Sequence, residues 1–158
     1  MKPVVTKLLL TLALSFAALA CGAAAAGPKG AASIPAADLL EPEAFAKSLQ
    51  TASASRPLIL HVGFRTLHVQ AHIPGSEYAG PGGQEAGLDV LRTRVAQLAK
   101  DAPIVLYCGC CPWTRCPNVA AAYDALRTLG FSHVKVLHIA EDFGTNWVDK
   151  GYPVARGD

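Results

Sequence analysis

The sequence has little charge of either sign and no cationic cluster. Charged residues make up 16% of its 158 residues, and the formal net charge is +2. Lys2 and Lys7 are two of the fourteen basic residues, and without them twelve basic residues balance twelve acidic ones. A nucleic-acid-binding surface needs clustered Lys and Arg, so we expect no nucleic-acid partner.

The N-terminal apolar run is too short for a membrane span. It covers residues 8–20, thirteen positions, whereas a helix needs about 20 apolar residues to cross a bilayer. Basic residues before such a run and small residues after it are typical of an export signal. We therefore predict a signal peptide at residues 1–26, an exported and periplasmic mature chain, and no transmembrane span in that chain.

The processing of this signal leaves two alternatives. The alanines at residues 24–26 suit a peptidase that requires small side chains. Cys21, in contrast, ends a sequence that resembles a lipoprotein box, in which it would be lipidated and anchor the protein. Ala18 stands where such a box usually has a large apolar residue. We therefore favour a protein without a lipid anchor.

The remaining sequence predicts one domain without internal repeats. Small residues at 27–35 predict a tether, and residues 36–156 are enough for one compact domain with its own core. Strand-like and helix-like segments alternate along this part of the chain, which predicts an α/β fold with parallel strands. The strands are predicted at residues 57–62, 104–107 and 133–137, and the helices at 42–49, 88–98 and after 116. Ligands bind such sheets at the carboxyl ends of the strands.

Four cysteines crowd the loop after the second of these strands. They are Cys108, Cys110, Cys111 and Cys116, and a helix pattern follows directly. The N-terminus of a helix and the backbone NH groups of a loop lower the pKa of a thiol and hold anions. The pattern therefore predicts chemistry through a thiolate.

Four segments, in this order, resemble the rhodanese-like family. They are LILHV at residues 58–62, AHIPG at 71–75, IVLYC at 104–108 and NWVDKGYPV at 146–154. The resemblance implies a single α/β domain with a central parallel sheet and helices on both faces. It also implies a sulfurtransferase that carries a cysteine persulfide and moves sulfane sulfur from a thiosulfate-like donor to a thiol or a cyanide-like acceptor.

The resemblance also assigns roles in the cysteine loop. Strand position selects Cys108 as the nucleophile, with Cys110 as the second candidate because four residues separate it from Arg115. Cys111 and Cys116 are expected to resolve the persulfide or to form disulfides. Arg115 could pair with an anionic donor. The binding loop comprises Gly109, Cys111, Pro112, Trp113, Thr114 and Arg115.

Other interpretations of the loop stay open at this point. Cysteines of exported proteins commonly form disulfides, so the loop could be a structural staple or a thiol–disulfide redox site. Crowded thiolates also suit Cu(I), which leaves a noncatalytic sulfur or copper carrier as an alternative. Zinc is disfavoured because the cysteines do not form two separated CxxC pairs. No cysteine is separated from Arg115 by five intervening residues, so the Cys-x5-Arg spacing of a tyrosine phosphatase is missing.

The histidines are assigned structural roles. We expect His72 to hydrogen-bond the backbone of the HIPG turn and His61 to lie in the core or at a pocket rim. His68, His133 and His138 show no metal-ligand spacing with one another. We predict no cofactor and no bound metal. The expected partner is a small sulfur-containing anion or thiol, or a protein that exchanges sulfur or electrons.

Overall fold

The computed structural model describes residues 34–51 and 56–157. The predicted signal peptide, with Cys21, lies outside these residues, as does the predicted tether up to residue 33. Within the described ranges five strands alternate with four α-helices. These are β1 (Leu39–Leu40), α1 (Pro42–Gln50), β2 (Leu58–His61), α2 (Arg65–Gln70), β3 (Glu77–Tyr78), α3 (Glu85–Val95), β4 (Ile104–Tyr107), α4 (Pro117–Thr128) and β5 (Val134–Leu137).

The strands form one parallel sheet in the order β1-β5-β4-β2-β3. Strand β4 lies at the centre and pairs with β2 on one side and β5 on the other. In the β2–β4 register His61 stands opposite Tyr107, so both strands end at the same level. The cysteine that follows β4 therefore lies at the carboxyl edge of the sheet, where parallel α/β sheets bind ligands.

Two apolar cores cover the two faces of the sheet. Successive side chains of a strand point to opposite faces. Accordingly, Ile104 and Leu106 pack with α3 and α4, whereas Val105 and Tyr107 pack with α1 and the segment around Trp147. Helices on both faces of a parallel sheet confirm the predicted α/β class. The alternation continues past the strand and places Cys108 on the α4 face.

Helix boundaries follow the local sequence. Pro117 occupies the first turn of α4, where its missing N–H costs nothing, and Gly130 follows the helix with a φ of 88°. Helix α3 ends at Val95, earlier than the predicted 98, because Leu98 N–H bonds the Val95 carbonyl in a tight turn. None of the helices in the described ranges is long and apolar enough to cross a membrane.

The two ends of the domain are held by the core. Ile34 is buried, so the core reaches into the end of the predicted tether. The segment after a π-helical turn at Gly144–Val148 is fixed by Trp147, whose indole N–H donates to the Pro153 carbonyl at 2.8 Å. Ala155 then pairs with His72 through two backbone hydrogen bonds. The C-terminal tail thereby closes against the HIPG turn.

Candidate active site

Cys108 lies at the floor of a cavity of about 490 Å³ at the carboxyl edge of the sheet. The residue is only 2% exposed. Its neighbours in the cavity wall include His61 from β2, Gly109 and Cys110 from the loop, and Phe143. The strand-end position and the concave surroundings make this the candidate active site.

The loop brings the four sulfur atoms close together as unpaired thiols. The Sγ atoms of Cys108 and Cys110 are 3.2 Å apart, and those of Cys110 and Cys111 are 3.3 Å apart. The Sγ atoms of Cys108, Cys110 and Cys116 all lie within 4.8 Å of one another. Strand β4, which ends just before Cys108, and helix α4, which begins after Cys116, thus bring the sulfur atoms into one cluster. Cys111 contacts this cluster through Cys110.

Hydrogen bonding separates the thiols by acidity. The Cys116 thiol, the Cys110 backbone N–H, the Cys110 thiol and the Asn118 amide all donate toward the Cys108 sulfur, and against the opposing effect of burial they lower its pKa to about 6. Burial and the neighbouring Cys108 raise the pKa of Cys110 to about 12. The same bond to Cys108, with burial, raises the pKa of Cys116. At neutral pH the cluster therefore holds one thiolate, on Cys108.

Asn118 is a member of the site that the sequence analysis missed. It is buried in the first turn of α4, and its Nδ2 donates to Cys108 Sγ at 3.5 Å. Its Oδ1 accepts the backbone N–H of Gly83 at 2.9 Å. The Asn118 amide thereby links the loop that contains Gly83 to the Cys108 sulfur. The sequence does contain one signal for Asn118, since it is a polar residue directly after Pro117. Polar side chains at a helix start often hydrogen-bond nearby backbone groups.

Two glycines make room for the cysteine loop. Gly109 has a φ of 84°, and a Cβ there would lie 2.5 Å from Phe143 Cβ. A Cβ on Gly63 would lie 2.8 Å from Cys108 Sγ and 2.9 Å from His61 Cε1. Contacts below 3 Å force neighbours to move. The position of the Cys108 sulfur therefore depends on both glycines.

The rest of the predicted binding loop turns away from the cavity. Trp113–Arg115 forms a 3-10 turn, in which Arg115 N–H donates to the Pro112 carbonyl and Trp113 N–H donates to Ile139. Cys116 N–H donates to the Trp113 carbonyl. Thr114 and Arg115 are exposed, and Pro112 to Arg115 are absent from the cavity lining. These three amides are engaged by carbonyls, so the Cys110 N–H is the backbone donor that reaches Cys108.

A buried histidine borders the sulfur on the opposite side. His61 Nε2 lies 2.8 Å from the Cys108 carbonyl oxygen, which can only accept, so Nε2 carries the proton. Nδ1 is buried without a hydrogen-bond partner. Burial, with a smaller contribution from His68, lowers the pKa of His61 to about 4. His61 is therefore neutral at pH 7.

The fold gathers more aromatic rings here than the sequence spacing indicated. The His61 ring lies 4.9 Å from Tyr107 and 5.3 Å from His68, and His68 stacks on His72 at 4.1 Å, all between ring centroids. The Tyr107 hydroxyl accepts the Ile73 N–H at 3.1 Å. These contacts tie the HIPG turn to the end of β4.

The cavity carries no positive side chain. Its lining contains no Lys or Arg among the described residues, and its one carboxylate belongs to Asp142. That carboxylate accepts the backbone N–H of Thr145 at 2.8 Å and its hydroxyl at 3.2 Å. Arg115, the predicted partner of an anionic donor, does not line this cavity.

The parallel sheet with helices on both faces and a cysteine after its central strand defines an α/β protein with a strand-end site. Similarity to solved structures specifies the fold further. The chain is similar to the rhodanese-like domain of the Alr3790 protein from Anabaena sp., with a TM-score of 0.56 and 21% identity over 75% of this chain and 79% of that one. It is also similar to BH2092 from Bacillus halodurans, with a TM-score of 0.57 and 19% identity over 74% and 75% of the two chains. The chain has the rhodanese-like fold, which confirms the resemblance found in the sequence.

A third similar structure carries a different functional suggestion. RPA3614 from Rhodopseudomonas palustris, described as a possible tyrosine phosphatase, has a TM-score of 0.53 and 20% identity over 75% of this chain and 84% of its own. No protein-family model matches the chain, and no curated protein matches it either. The solved structures thus define the fold alone.

Proposed function

We propose that this protein is a sulfurtransferase in which Cys108 carries a persulfide. The rhodanese-like fold and the cysteine cluster fit a sulfurtransferase-like or phosphatase-like superfamily. The observation that carries the finer assignment is the separation of thiol acidities: the pKa of Cys108 is about 6, whereas that of Cys110 is about 12. A thiolate is the reactive form of cysteine, so Cys108 is the nucleophile of the proposal.

The proposed reaction has two displacement steps. The Cys108 thiolate attacks the outer sulfur of the donor, a sulfur–sulfur bond forms, and the donor's own sulfur–sulfur bond breaks with its electron pair leaving on sulfite or a thiolate. An acceptor thiolate or cyanide then attacks the outer sulfur of the Cys108 persulfide. This second step releases the Cys108 thiolate and restores the protein. No external oxidant or reductant is needed.

The charge of the cavity lining restricts which sulfur donors can reach Cys108 easily. Thiosulfate is a dianion, and the cavity lining offers Asp142 but no Lys or Arg within the described part of the chain. Transfer of a dianion into such a site is costly without a cation. We therefore propose that persulfides of small thiols load Cys108 faster than thiosulfate does.

The test is intact mass after incubation with a donor under mild reduction. We expect the protein to gain one sulfur atom from cysteamine persulfide, whose ammonium group offsets the persulfide charge, and more slowly from thiosulfate. Cys108→Ser should abolish the gain. Cys110→Ser is the matched control, because it removes a neighbouring thiol 3.2 Å away but leaves the proposed nucleophile. It should still gain one sulfur atom.

Two outcomes would contradict the proposal. Sulfur loading that persists in Cys108→Ser would move the nucleophile to another cysteine. Absence of loading in the unmodified protein, with both donors and with all thiols reduced, would remove the sulfurtransferase assignment. Peptide mapping of residues 104–123 after loading locates the added sulfur directly.

A second candidate function is thiol–disulfide exchange. The specific observation is the 3.2 Å distance between the Sγ atoms of Cys108 and Cys110, which places a resolving thiol beside the thiolate. In that reaction Cys108 attacks a substrate disulfide, and Cys110 then displaces the substrate thiol and forms a disulfide with Cys108. The protein would lose two hydrogens instead of gaining a sulfur atom, so the same mass measurement distinguishes the two functions.

We also propose that the protein is exported, because residues 1–26 have the pattern of a signal peptide. Mass analysis of the mature N-terminus from a membrane-free periplasmic extract tests it. Cleavage within residues 20–27 without added lipid supports a periplasmic protein. A diacylated Cys21 in the membrane fraction would establish the alternative lipid anchor.

A further inference from the structure

Three sulfur atoms form a ready-made set of metal ligands. The Sγ atoms of Cys108, Cys110 and Cys116 lie within 4.8 Å of one another. A metal–sulfur bond of about 2.3 Å, the length found for zinc thiolates, puts the sulfurs of a trigonal site about 4 Å apart. One ion therefore fits between the three sulfurs after movements of less than about 1 Å.

The composition of this set selects the metal. Within the described residues no histidine and no carboxylate joins the three sulfurs as a ligand group. Structural zinc almost always has four ligands, whereas soft thiolates without harder ligands favour Cu(I). Three sulfurs and no fourth ligand thus match Cu(I) better than Zn²⁺.

We propose that Cys108, Cys110 and Cys116 bind one Cu(I) ion as a three-sulfur site. This inference goes beyond sulfur transfer and does not depend on it. It takes up the Cu(I) alternative that the crowded cysteines left open in the sequence, in place of the metal-free site expected there. The thiol protons pass to solvent as the three copper–sulfur bonds form, and copper stays in the Cu(I) state.

The surroundings offset part of the negative charge of such a site. Three thiolates and one monovalent ion leave two negative charges, two of the ligands being buried. Cys116 is the N-cap of the twelve-residue helix α4, whose N-terminus is the positive end of its dipole. The Asn118 amide donates to the Cys108 sulfur at 3.5 Å from the same helix. Both interactions favour anionic sulfur at this position.

Copper binding has a consequence for the proposed chemistry. The Cys108 sulfur that coordinates copper cannot at the same time attack a sulfur donor with the same electron pair. Bound copper should therefore block the loading of sulfur onto Cys108. Cu(I) added before the donor should prevent sulfur loading, and a Cu(I) chelator should restore it.

The test is an anaerobic titration of the reduced full chain with Cu(I) against a chromophoric Cu(I) chelator. We expect one ion per chain. Cys110→Ser and Cys116→Ser should each weaken binding at least about 100-fold, since a hydroxyl is a poor ligand for a soft ion. Cys110 is exposed, so its substitution leaves the core intact. Cys111→Ser, whose sulfur lies outside the three-sulfur group, should change the affinity less than about 3-fold.

The contrary results are specific. Unchanged affinity in both Cys110→Ser and Cys116→Ser, or an equal loss in Cys111→Ser, would overturn the three-sulfur site. A parallel titration with Zn²⁺ tests the choice of metal, and zinc binding as tight as that of Cu(I) would contradict it. Sulfur loading unaffected by stoichiometric Cu(I) would overturn the shared role of Cys108.

Discussion

The two sides of the Cys108 sulfur handle charge in different ways. On the α4 side, the thiols of Cys116 and Cys110 and the amide of Asn118 donate to the sulfur and lower its pKa to about 6. On the opposite side, burial lowers the pKa of His61 to about 4 and raises that of Tyr107 to about 12, so both side chains are uncharged at pH 7. Neither side supplies a cation.

This difference shows how the site can hold a thiolate without an ion pair. Neutral donors on one side stabilise the charge, and the buried His61 and Tyr107 on the other side add no charge of their own. An ion pair would be screened by salt, whereas short hydrogen bonds are affected little. The acidity of the nucleophile therefore depends on the arrangement of the cysteine loop more than on any single charged residue. Substitutions in and around this loop test the difference between the two sides most directly.

The largest expected effect on stability comes from Gly109→Ala, which would push the cysteine loop away from Phe143. Its φ of 84° strains any side chain, and the new Cβ would lie 2.5 Å from Phe143 Cβ. Together these should lower the free energy of unfolding by about 3 kcal/mol. Gly151→Ala is the matched control, because its φ is 71° but no atom lies within 4 Å. It should cost about 1 kcal/mol in urea unfolding. Equal losses in the two variants would show that Phe143 does not constrain the loop.

The next largest effect concerns His61, on the uncharged side of the Cys108 sulfur, and the dependence of stability on pH. His61 has a folded-state pKa of about 4, below its ordinary 6.5, so the unfolded chain takes up a proton first as the pH falls. The stabilisation is complete above pH 6.5 and is lost toward pH 4, about 3 kcal/mol in all. His61→Gln should remove this part of the acid dependence in urea unfolding between pH 7 and pH 4. His133→Gln, at an exposed position, should keep it.

How far the sequence predicts this site depends on how local each interaction is. The strands at 104–107 and around 58–61, the start of α4 at Pro117 and the stop at Gly130 are encoded in short patterns, and they were predicted. The two-residue strands β1 and β3 and the short helix α2 were not, because they carry too few residues for a periodic signal. Their conformation depends on tertiary pairing.

The same limit applies to the active site. The strand end and the crowded cysteines marked Cys108, and the structure places it in the cavity. Asn118 and His61 act on it through contacts across 10 and 47 positions of the chain, which no local pattern reveals. The exposure of Arg115 has a related cause. The cysteine loop uses its amides for a 3-10 turn, and that turn directs residues 114–115 to the surface.

A smaller effect tests the donors of the α4 side. Cys116→Ala removes the largest contribution that lowers the pKa of Cys108. A hydrogen bond to a charged group contributes about 1.5–3 kcal/mol, so the pKa should rise by about one to two pH units. The rate of Cys108 alkylation against pH, followed by peptide mass, measures it. Cys111→Ala should leave the midpoint in place, and a shift as large as that of Cys116→Ala would assign the effect to the loop as a whole.

The smallest expected effect sharpens the claim that no cation holds the thiolate. Arg115 is exposed and does not line the cavity. Arg115→Ala should therefore leave the pH midpoint of Cys108 alkylation unchanged at low and at high salt. Salt screens interactions between exposed charges, and we expect no such interaction between Arg115 and the Cys108 sulfur. If the midpoint rises in this variant and the rise disappears in high salt, Arg115 stabilises the thiolate across solvent. The site would then rely on an ion pair after all.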